Sequence, residues 1–458
     1  MKKQLILTGL ALVLVASACN DRLNLQPFQS IDSATALNND QAVQSAIIGA
    51  YGQLGAGSLY GTNFNLLSEL SGGEGYITWR GTFASYREVA NKTYNNTNTE
   101  AQRTWLAAYG AVNNVNGVLN ALNVVRDADL RRTLEGEARF IRGILFFELV
   151  RFYALPWGAR ADNSQPGIPL VLTPSRTVEQ ATAQTPRSTV AQTYAQILDD
   201  LTKAASLLPD DNGVRADRFA AQAFLARVYL QQENYAGALA AANAVISSGF
   251  YRLNPSVVAA FRNRNTPESI FEIQQNDQNN AGTANDGLTT FYASIPTESA
   301  PIGRGDVQIN AAFANSYAAN DARRNELIYV GFRGSNFLRS GKFTDFGANI
   351  PIIRLAEMYL VRAEANLRLG SQVGAAPLAD VNLVRARAGV APLTGTLTTA
   401  QILQERRWEL AFEGLRIHDI KRFRLNTGNF TWNDPRLVFP IPKREVDVNP
   451  AITQNEGY

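Results

Sequence analysis

The sequence predicts a mostly α-helical fold, in which helical hairpins form a scaffold with large irregular loop insertions and few short strands. Two observations predict it. Apolar and small residues recur at i, i+3, i+4 and i+7 through paired segments in the middle and near the end of the chain. Two long stretches rich in Gly, Asn, Ser and Thr interrupt these segments and lack such a period. A binding face built from loop insertions on a helical scaffold is a common arrangement.

The first part of the chain is predicted to hold three helices around the first irregular stretch. An amphipathic helix is expected within residues 32–56, and two long helices over residues 104–125 and 130–152. The last of these contains EARFIRGILFFELVRFY, which is apolar around most of its circumference and should therefore be buried. Residues 57–98, rich in Gly, Asn, Thr and Tyr, are predicted to be irregular.

Helical hairpins are predicted for the middle of the chain. Residues 218–231 and 235–248 each repeat small and apolar residues at helical spacing, and Gly249 is placed to end the second helix. Small residues at crossing positions let two antiparallel helices approach closely, as in tetratricopeptide-like hairpins. A second pair is predicted at residues 353–369 and 379–388. The remaining predicted helices are residues 187–208 and 399–423.

Residues 250–350 interrupt the helical array. They mix Gly/Asn/Ser-rich loops with pieces such as SIFEIQ at residues 269–274, which is strand-like. The final stretch, residues 437–458, is predicted to be an ordered, non-helical strap packed on a core. Its prolines fix φ and restrict the preceding residues, and Gly457 permits a tight backbone just before the end.

The beginning of the sequence has the pattern of an export signal. A basic start is followed by an apolar run over residues 5–15, too short to span a bilayer stably, and then by small residues before Cys19. Cys19 is the only cysteine, and it sits where a lipoprotein signal peptidase would cut. We expect acyl chains on Cys19 to anchor the protein. The expected division is a signal peptide at 1–18, a lipidated tether at 19–30 and a single globule at 31–458. Within the globule we expect an N-terminal helical part at 31–255, which contains the 57–98 insertion, then an irregular insertion at 256–350 and a C-terminal part at 351–458.

Composition argues against several classes of protein. The 43 basic and 40 acidic residues nearly balance, and no basic cluster is interleaved with aromatic residues, so nucleic acid is not expected as a partner. His418 is the only histidine, and no zinc pattern, Walker loop or nucleophile elbow is present. We therefore expect neither a cofactor nor a metal, and no enzymatic activity.

One group of acidic residues could suggest a glycosidase. Glu405, Glu409 and Glu413 lie on one stripe of the predicted 399–423 helix, where local pairing with Arg406 and Arg416 would offset their repulsion. Three carboxylates on one helix face cannot flank a sugar from opposite sides, as glycoside hydrolysis requires. The prediction is structural: these charges pair to tie helices to loops.

Several sequence blocks resemble, in the expected order, those of the SusD/RagB family, the surface lipoproteins that capture nutrients for TonB-dependent transporters in Bacteroidetes. The resemblance covers nearly the whole chain. The blocks are EARFIRG at 137–143, SIFE at 269–272, IPIIRLAEMYLVRAEA at 350–365, VNLVRARAG at 381–389, ERRWELAFEGLRIHDIKRF at 405–423 and the C-terminal FPIP…NP…TQNEGY.

The resemblance implies a SusD-like fold and a non-catalytic lipoprotein on the outer membrane, exposed to the cell exterior. Such a protein would bind an oligosaccharide or polysaccharide and deliver it to a SusC-like TonB-dependent transporter. Two alternatives stay open: an oligopeptide-binding member of the same family, and a transporter accessory subunit with little ligand affinity of its own.

Sugars lay their apolar faces on aromatic rings while amide and guanidinium groups take up their hydroxyls, so exposed aromatics in polar loops mark candidate sites. Analogy with the family extends the candidates from the 57–98 stretch to the central insertion. The candidate ligand-binding residues are Tyr60, Asn63, Tyr76, Trp79, Arg80 and Tyr86 from the first region, and Phe291, Tyr292 and Arg304 from the second. Trp105, Trp157 and Trp408 are expected in the core.

Overall fold

The computed structural model describes residues 36–332 and 336–458. Cys19, the signal peptide and the 19–30 tether lie outside these residues. The helices are α1 (Asp40–Leu54), α2 (Asn63–Ser71), α3 (Ala84–Asn91), α4 (Thr99–Asn120), α5 (Ala128–Tyr153), α6 (Val178–Ala181), α7 (Val190–Leu207), α8 (Arg218–Gln231), α9 (Tyr235–Ser247), α10 (Ala259–Arg262), α11 (Leu288–Tyr292), α12 (Ala311–Ala314), α13 (Ala322–Leu327), α14 (Leu355–Leu369), α15 (Pro377–Arg387), α16 (Thr399–Glu409), α17 (Arg416–Arg422) and α18 (Lys443–Val448). The strands are β1 (Ile77–Trp79), β2 (Pro166–Pro169), β3 (Arg187–Thr189), β4 (Ser269–Ile273), β5 (Val307–Ile309), β6 (Ile328–Val330), β7 (Leu338–Ser340) and β8 (Ile350–Arg354).

The long helices form a continuous array that follows chain order. Helix α4 packs against α1 and α5, α5 against α7, and α7 against α8. The array continues through α9 to α14, which contacts both α15 and α16. This arrangement confirms the predicted mostly α-helical scaffold. Within the described residues, no helix is both long and apolar enough to cross a bilayer.

The α8–α9 hairpin shows why the helical prediction succeeds here. Both helices bury alanines along their contact, among them Ala221 on α8 and Ala242 on α9, each with no exposed surface. Small side chains let the two backbones approach closely. Asn234 caps α9 by accepting a hydrogen bond from Gly237 N, and Gly249 (φ 77°) follows its last turn in the left-handed conformation.

Helix α5 is buried along most of its length, as predicted. Its side chains from Phe140 to Phe147 are almost all inaccessible to solvent, and Asp127 caps its first turn by accepting hydrogen bonds from the amides of Asp129 and Leu130. The core to which it contributes includes residues from Val43 to Ile452. This main core therefore draws on residues from both halves of the described chain.

Glu137 on α5 is buried with no exposed surface beside Arg215 and Asn212. Burial raises the pKa of Glu137 to about 7, although Arg215 and Asn212 oppose the rise. The folded protein therefore holds this proton more tightly than the unfolded chain, in which the group titrates near 4.5. The resulting contribution to stability is complete below that pH and is lost as the pH rises to about 7.

We therefore expect the free energy of unfolding to decline between about pH 5 and about pH 7, by at most about 1.4 kcal/mol per pH unit from this group. Glu137→Gln should remove that part of the decline. Urea unfolding of both proteins across this range measures the difference. Parallel stability curves for the two proteins would contradict the expectation.

The prediction that residues 57–98 are irregular is wrong. This stretch contains α2, β1 and α3. Every side chain of α2 is buried, including polar ones such as Glu69, whose Oε1 accepts hydrogen bonds from the amides of Gly414 and Leu415. Glu69 thus finds hydrogen-bond donors in a distant part of the chain, and the helix turns no polar face to solvent.

The two predicted insertions meet in one four-stranded antiparallel sheet of order β1-β5-β7-β6. Strand β1 pairs with β5 in the register Ile77↔Ile309 and Trp79↔Val307. Residues more than two hundred positions apart in the sequence are therefore neighbours. The strand expected at 269–274 is confirmed as β4, which pairs with β8.

The segment 399–423 is two helices rather than the single helix predicted. Helix α16 ends at Glu409 and α17 begins at Arg416, and between them Phe412 (φ 67°) and Gly414 (φ 82°) adopt left-handed backbone conformations. A Cβ atom at Gly414 would lie 2.9 Å from Asn65 Cα, so the break lets the chain approach α2 closely.

Glu409 and Glu413, on either side of the start of the break, belong to a buried cluster of charged side chains around Arg354. Arg354 is 2% exposed and donates hydrogen bonds to Glu413 Oε2 (2.8 Å) and to Glu409 Oε1 (3.1 Å). Burial alone would raise the pKa of Glu409, but Arg387, Arg354 and Arg323 outweigh it and hold the pKa well below its usual range.

The glutamates therefore tie elements together, as predicted, but through different partners. Arg323 on α13 and Arg385 on α15 both bind Glu405, at 2.6 and 2.9 Å. The predicted local pairing is wrong, because Arg406 turns away from Glu409 and binds Asp419 on α17 at 3.0 Å.

The C-terminal strap is ordered and packed on the core, but it is not wholly non-helical, because it contains α18. Phe439 and Ile441 are buried, and Phe439 N donates a hydrogen bond to Phe152 O (2.8 Å) at the end of α5. Asn455 ties the last residues down by donating to the carbonyl oxygens of Tyr153 and Phe439. Gly457 has φ 91°, as its predicted role requires.

Candidate functional site

The predicted ligand residues that reach the surface lie where the end of β1 meets the turn before β5. Arg80 N donates to Asp306 O, and Arg304 N donates to Thr290 O, both at 2.6 Å. Gly303 (φ 74°) makes this approach possible, because a Cβ atom there would lie 2.3 Å from Ala293 O. The two arginines are thereby held on neighbouring segments that come from the two predicted insertions.

Beneath these arginines lies a cluster of buried aromatic rings. The Trp79 ring centroid is 5.0 Å from that of Tyr86 and 5.5 Å from that of Phe291, and the Tyr86 and Phe291 centroids are 5.2 Å apart. Phe83 packs on this cluster, 6.1 Å from Phe291 and edge-on, and is itself 38% exposed. Edge-to-face packing of this kind favours a single arrangement of the rings.

Charged groups anchor the cluster from below. Arg103 binds Asp286 through both of its terminal nitrogens and also donates to the Tyr86 hydroxyl (2.8 Å). The Tyr86 hydroxyl in turn donates to Asn63 Oδ1 (2.8 Å). A bidentate arginine–carboxylate pair is geometrically specific, so the central insertion is fixed against α4.

Two ring–guanidinium contacts complete the surface. Arg304 Cζ lies 4.9 Å from the Phe83 ring centroid, and Arg304 Nη2 donates to Thr82 Oγ1 (3.1 Å). Arg80 Cζ lies 5.3 Å from the Phe337 ring centroid, and Arg80 Nε donates to Gln308 Oε1 (2.8 Å). We call this surface the Phe83 face; its residues are Arg80, Thr82, Phe83, Arg304, Gln308 and Phe337.

The charge of the Phe83 face is partly balanced by Asp306. Its Oδ2 lies 3.2 Å from Arg304 Nε. Burial raises the pKa of Asp306, and the positive charges of Arg304 and Arg339 oppose that rise. The face therefore presents apolar ring surface, guanidinium N–H donors and an amide close together, a combination able to hold a neutral polar ligand.

A cavity of about 220 Å³ adjoins the Phe83 face through Trp79. Its polar lining comes from Glu74, Thr78, Arg87, Asn91 and Asn310. Trp79 is 6% exposed, and its Nε1 has no hydrogen-bond partner within the described part of the chain.

The structure corrects the expectation that all candidate aromatic residues are exposed. Tyr60 (4% exposed) donates its hydroxyl to Glu148, and Tyr76 (1%) stacks on Phe412 at 5.3 Å. Tyr292 has no exposed surface, because its ring packs against those of Phe343 and Phe412. These three rings therefore form core rather than surface.

The same correction applies to polar and supporting candidates. Asn63 has no exposed surface and donates to Glu100 and Thr104 inside the protein. Tyr86 (1% exposed) and Phe291 (0%) lie under the Phe83 face and support it. Among the predicted residues, Arg80 and Arg304 lie on the face itself, and Trp79 lies at its boundary with the cavity.

Sequence reasoning missed Phe83 and Phe337. Phe83 follows Gly81 and Thr82 in a polar turn and could have been selected by the same criterion as Trp79. Phe337 carries no such signal, because it reaches the face only through pairing of β7 with β5.

Trp105, Trp157, Trp408 and the single histidine are not part of the Phe83 face. Trp105 is buried as predicted, whereas Trp157 and Trp408 are half-buried and pack against core residues. His418 is buried against Phe152, and burial together with Arg151 and Lys421 holds its pKa well below its usual range. In residues 36–332 and 336–458, no cluster of His, Cys, Asp and Glu side chains is arranged to hold a metal ion.

Comparison with known proteins agrees with this architecture. Residues 24–230 match a SusD-like family described as starch-binding and associating with the outer membrane, and residues 340–437 match the SusD family. A SusD-like protein of Formosa agariphila is 23% identical, with 100% of both chains covered. The starch-binding protein SusD of Bacteroides thetaiotaomicron is 33% identical over 123 residues, which cover 24% of this chain and 22% of SusD.

A solved structure shares the fold. The crystal structure of a SusD superfamily protein from Bacteroides thetaiotaomicron has a TM-score of 0.80 and 25% identity, with 91% of this chain and 99% of that chain covered. The two family matches, the relatives and the shared architecture agree with the sequence blocks identified above. The chain belongs to the SusD/RagB family.

Proposed function

We propose that this protein is a non-catalytic surface lipoprotein of the outer membrane that binds an oligosaccharide or polysaccharide and delivers it to a SusC-like TonB-dependent transporter. The observation that carries the proposal is the Phe83 face. Phe83 and Phe337 each pair with a guanidinium at the surface, which gives a sugar ring both an apolar surface and hydrogen-bond donors. The description of the matching family as starch-binding and the name of the relative SusD support a carbohydrate ligand.

The side chains of the Phe83 face are held in position by their neighbours, as expected for a preformed binding site. Phe83 packs on a buried ring cluster, and Arg304 is held by Thr82 and Asp306. Binding therefore needs little ordering of these side chains, and rigid aromatic anchors of this kind contribute affinity at low entropic cost.

The membrane anchor and the transporter are part of the same proposal. The family description associates such proteins with the outer membrane, which supports that location. An acylated Cys19 would anchor the protein in the outer membrane, and mass spectrometry of the mature N-terminus tests for the acyl groups. Co-purification with a SusC-like TonB-dependent transporter tests the partner.

The proposal predicts that Phe83→Ala and Arg304→Ala each weaken glycan binding about tenfold or more, the effect of losing a central contact worth about 1.4 kcal/mol. A glycan array identifies the ligand, and titration calorimetry with that glycan measures the dissociation constants. Phe250→Ala is the matched control, because Phe250 is 52% exposed and packs against Phe219, away from the face.

Equal affinities for the Phe83→Ala, Arg304→Ala and control variants would move the glycan site elsewhere. Folded protein that binds no glycan but captures an oligopeptide would favour the peptide-binding alternative. Binding of neither would favour an accessory subunit of the transporter.

A further inference from the structure

A larger cavity lies apart from the Phe83 face. It has a volume of about 440 Å³, opens to the surface and is lined by residues of α4, the 169–185 segment, the C-terminal helix α18 and the residues just after it. None of the residues of the Phe83 face lines it. Its volume falls within the roughly 300–1,000 Å³ typical of small-molecule sites.

One wall of this cavity is aromatic. Trp105 and Tyr109 stand one helical turn apart on α4, with ring centroids 4.8 Å apart and planes inclined by 47°. Val171, Val448 and Ile452 add aliphatic surface. A ring or aliphatic face entering the cavity would therefore meet apolar walls on more than one side.

Hydrogen bonds between the segments that line the cavity fix the positions of its walls. The Tyr109 hydroxyl donates to Pro169 O (2.8 Å), and Asn116 Nδ2 donates to Val171 O (2.8 Å). On the opposite wall, Asn449 Nδ2 donates to Thr185 O (3.1 Å). Because these contacts fix the loop to both α4 and the strap, the cavity is preformed rather than opened by a ligand.

The polar lining consists mainly of hydroxyl and amide groups. Ser175 and Thr185, which carry hydroxyl groups, are among the residues that line the cavity. Glu445 is the charged residue of the described lining, and its Oε1 lies 3.5 Å from Arg444 Nε. The lining supplies no lysine or arginine among these residues, so it favours a neutral polyhydroxyl ligand over an anion.

We propose that this cavity is a second glycan subsite that takes a neutral pyranose ring, with its C–H face on Tyr109 and its hydroxyls directed to Ser175, Thr185 and Glu445. Trp105 is 2% exposed and lies behind Tyr109, so it reports on the subsite through that ring contact. This inference rests on the proposed function. Two separate sites on one chain would hold a polysaccharide at two points, which raises avidity without any new contact at the Phe83 face.

Fluorine NMR of the full chain labelled with 5-fluorotryptophan tests the subsite. The protein has 5 tryptophans, so the spectrum contains few signals, and the signal that disappears in Trp105→Phe is that of Trp105. The probes are glucose, galactose, mannose and xylose, with glucuronate as the anionic comparison. We expect at least one neutral sugar to shift the Trp105 signal saturably, and glucuronate to bind at least tenfold more weakly.

Ala183→Phe narrows the cavity from its exposed rim and should weaken the Trp105 response at least tenfold. Val214→Phe, at an exposed position elsewhere, is the matched control and should leave that response unchanged. The subsite is overturned if no neutral sugar shifts the Trp105 signal, or if Ala183→Phe leaves the response intact.

The Trp79 signal reports on the Phe83 face in the same experiment. A response at Trp79 with none at Trp105 would refute the second subsite and leave the proposed function standing. A response at Trp105 that survives Phe83→Ala, with none at Trp79, would instead count against the Phe83 face.

Discussion

Replacing Arg354 with methionine is expected to lower the free energy of unfolding by about 3–5 kcal/mol, the usual cost of removing one partner from a buried ion pair. Arg354 is 2% exposed, and its guanidinium also binds Glu268 Oε1 at 2.5 Å. Without it, Glu413 keeps only Lys342 among its ion-pair partners within the described residues. Buried carboxylates left short of positive charge are costly because they have no water to solvate them.

Urea unfolding at neutral pH measures this effect. The control is Lys203→Met, because Lys203 forms a surface pair with Asp199 at 2.7 Å and both side chains are nearly half exposed. That change should cost less than about 1 kcal/mol. Arg354→Lys keeps the charge but loses the forked geometry, so it should fall between the two. A loss for Arg354→Met no larger than that of the control would show that the cluster contributes little to stability.

Phe439→Ala should also cost about 3–5 kcal/mol, the range for truncating a buried phenylalanine. Phe439 is 1% exposed and lies stacked on Phe152 at 5.3 Å, with Tyr94 edge-on at 5.1 Å. The backbone hydrogen bond to Phe152 O does not depend on the side chain. The loss would therefore measure how much packing of the strap contributes to the fold.

Thermal and urea unfolding of Phe439→Ala, compared with Phe250→Ala, distinguish the buried ring from an exposed one. The control should lose no more than about 1 kcal/mol. If the two variants were equally stable, the C-terminal strap would be a passive cover, and its ordered packing would need another explanation.

The periodic helices were predictable, and α8 begins and ends where the sequence indicates. The local pattern correctly predicts that Ala221 and its neighbours at helical spacing are buried, because their burial follows from the hairpin they form. The break in the 399–423 segment could not be read in this way. The break depends on the close approach of Gly414 to Asn65 and on the buried ion pairs that arginines form with Glu409.

The candidate site shows the same limit. The sequence indicated the two regions that supply it and selected Arg80 and Arg304, both of which lie on the Phe83 face. It could not distinguish Tyr76, which is buried, from Phe83, which is exposed. Both are aromatic residues in polar surroundings, and their exposure depends on which distant segment covers them.

The sequence by itself determined the helical scaffold, the family and the two stretches that carry the candidate site, because periodicity and ordered motifs are properties of neighbouring residues. Only the tertiary structure decided which side chains face solvent. Thr78 lies opposite Gln308 because β1 pairs with β5, and Arg354 gathers glutamates from two separate regions of the chain. Such contacts arise from the burial of surfaces contributed by remote segments, and no local pattern records which segments will meet.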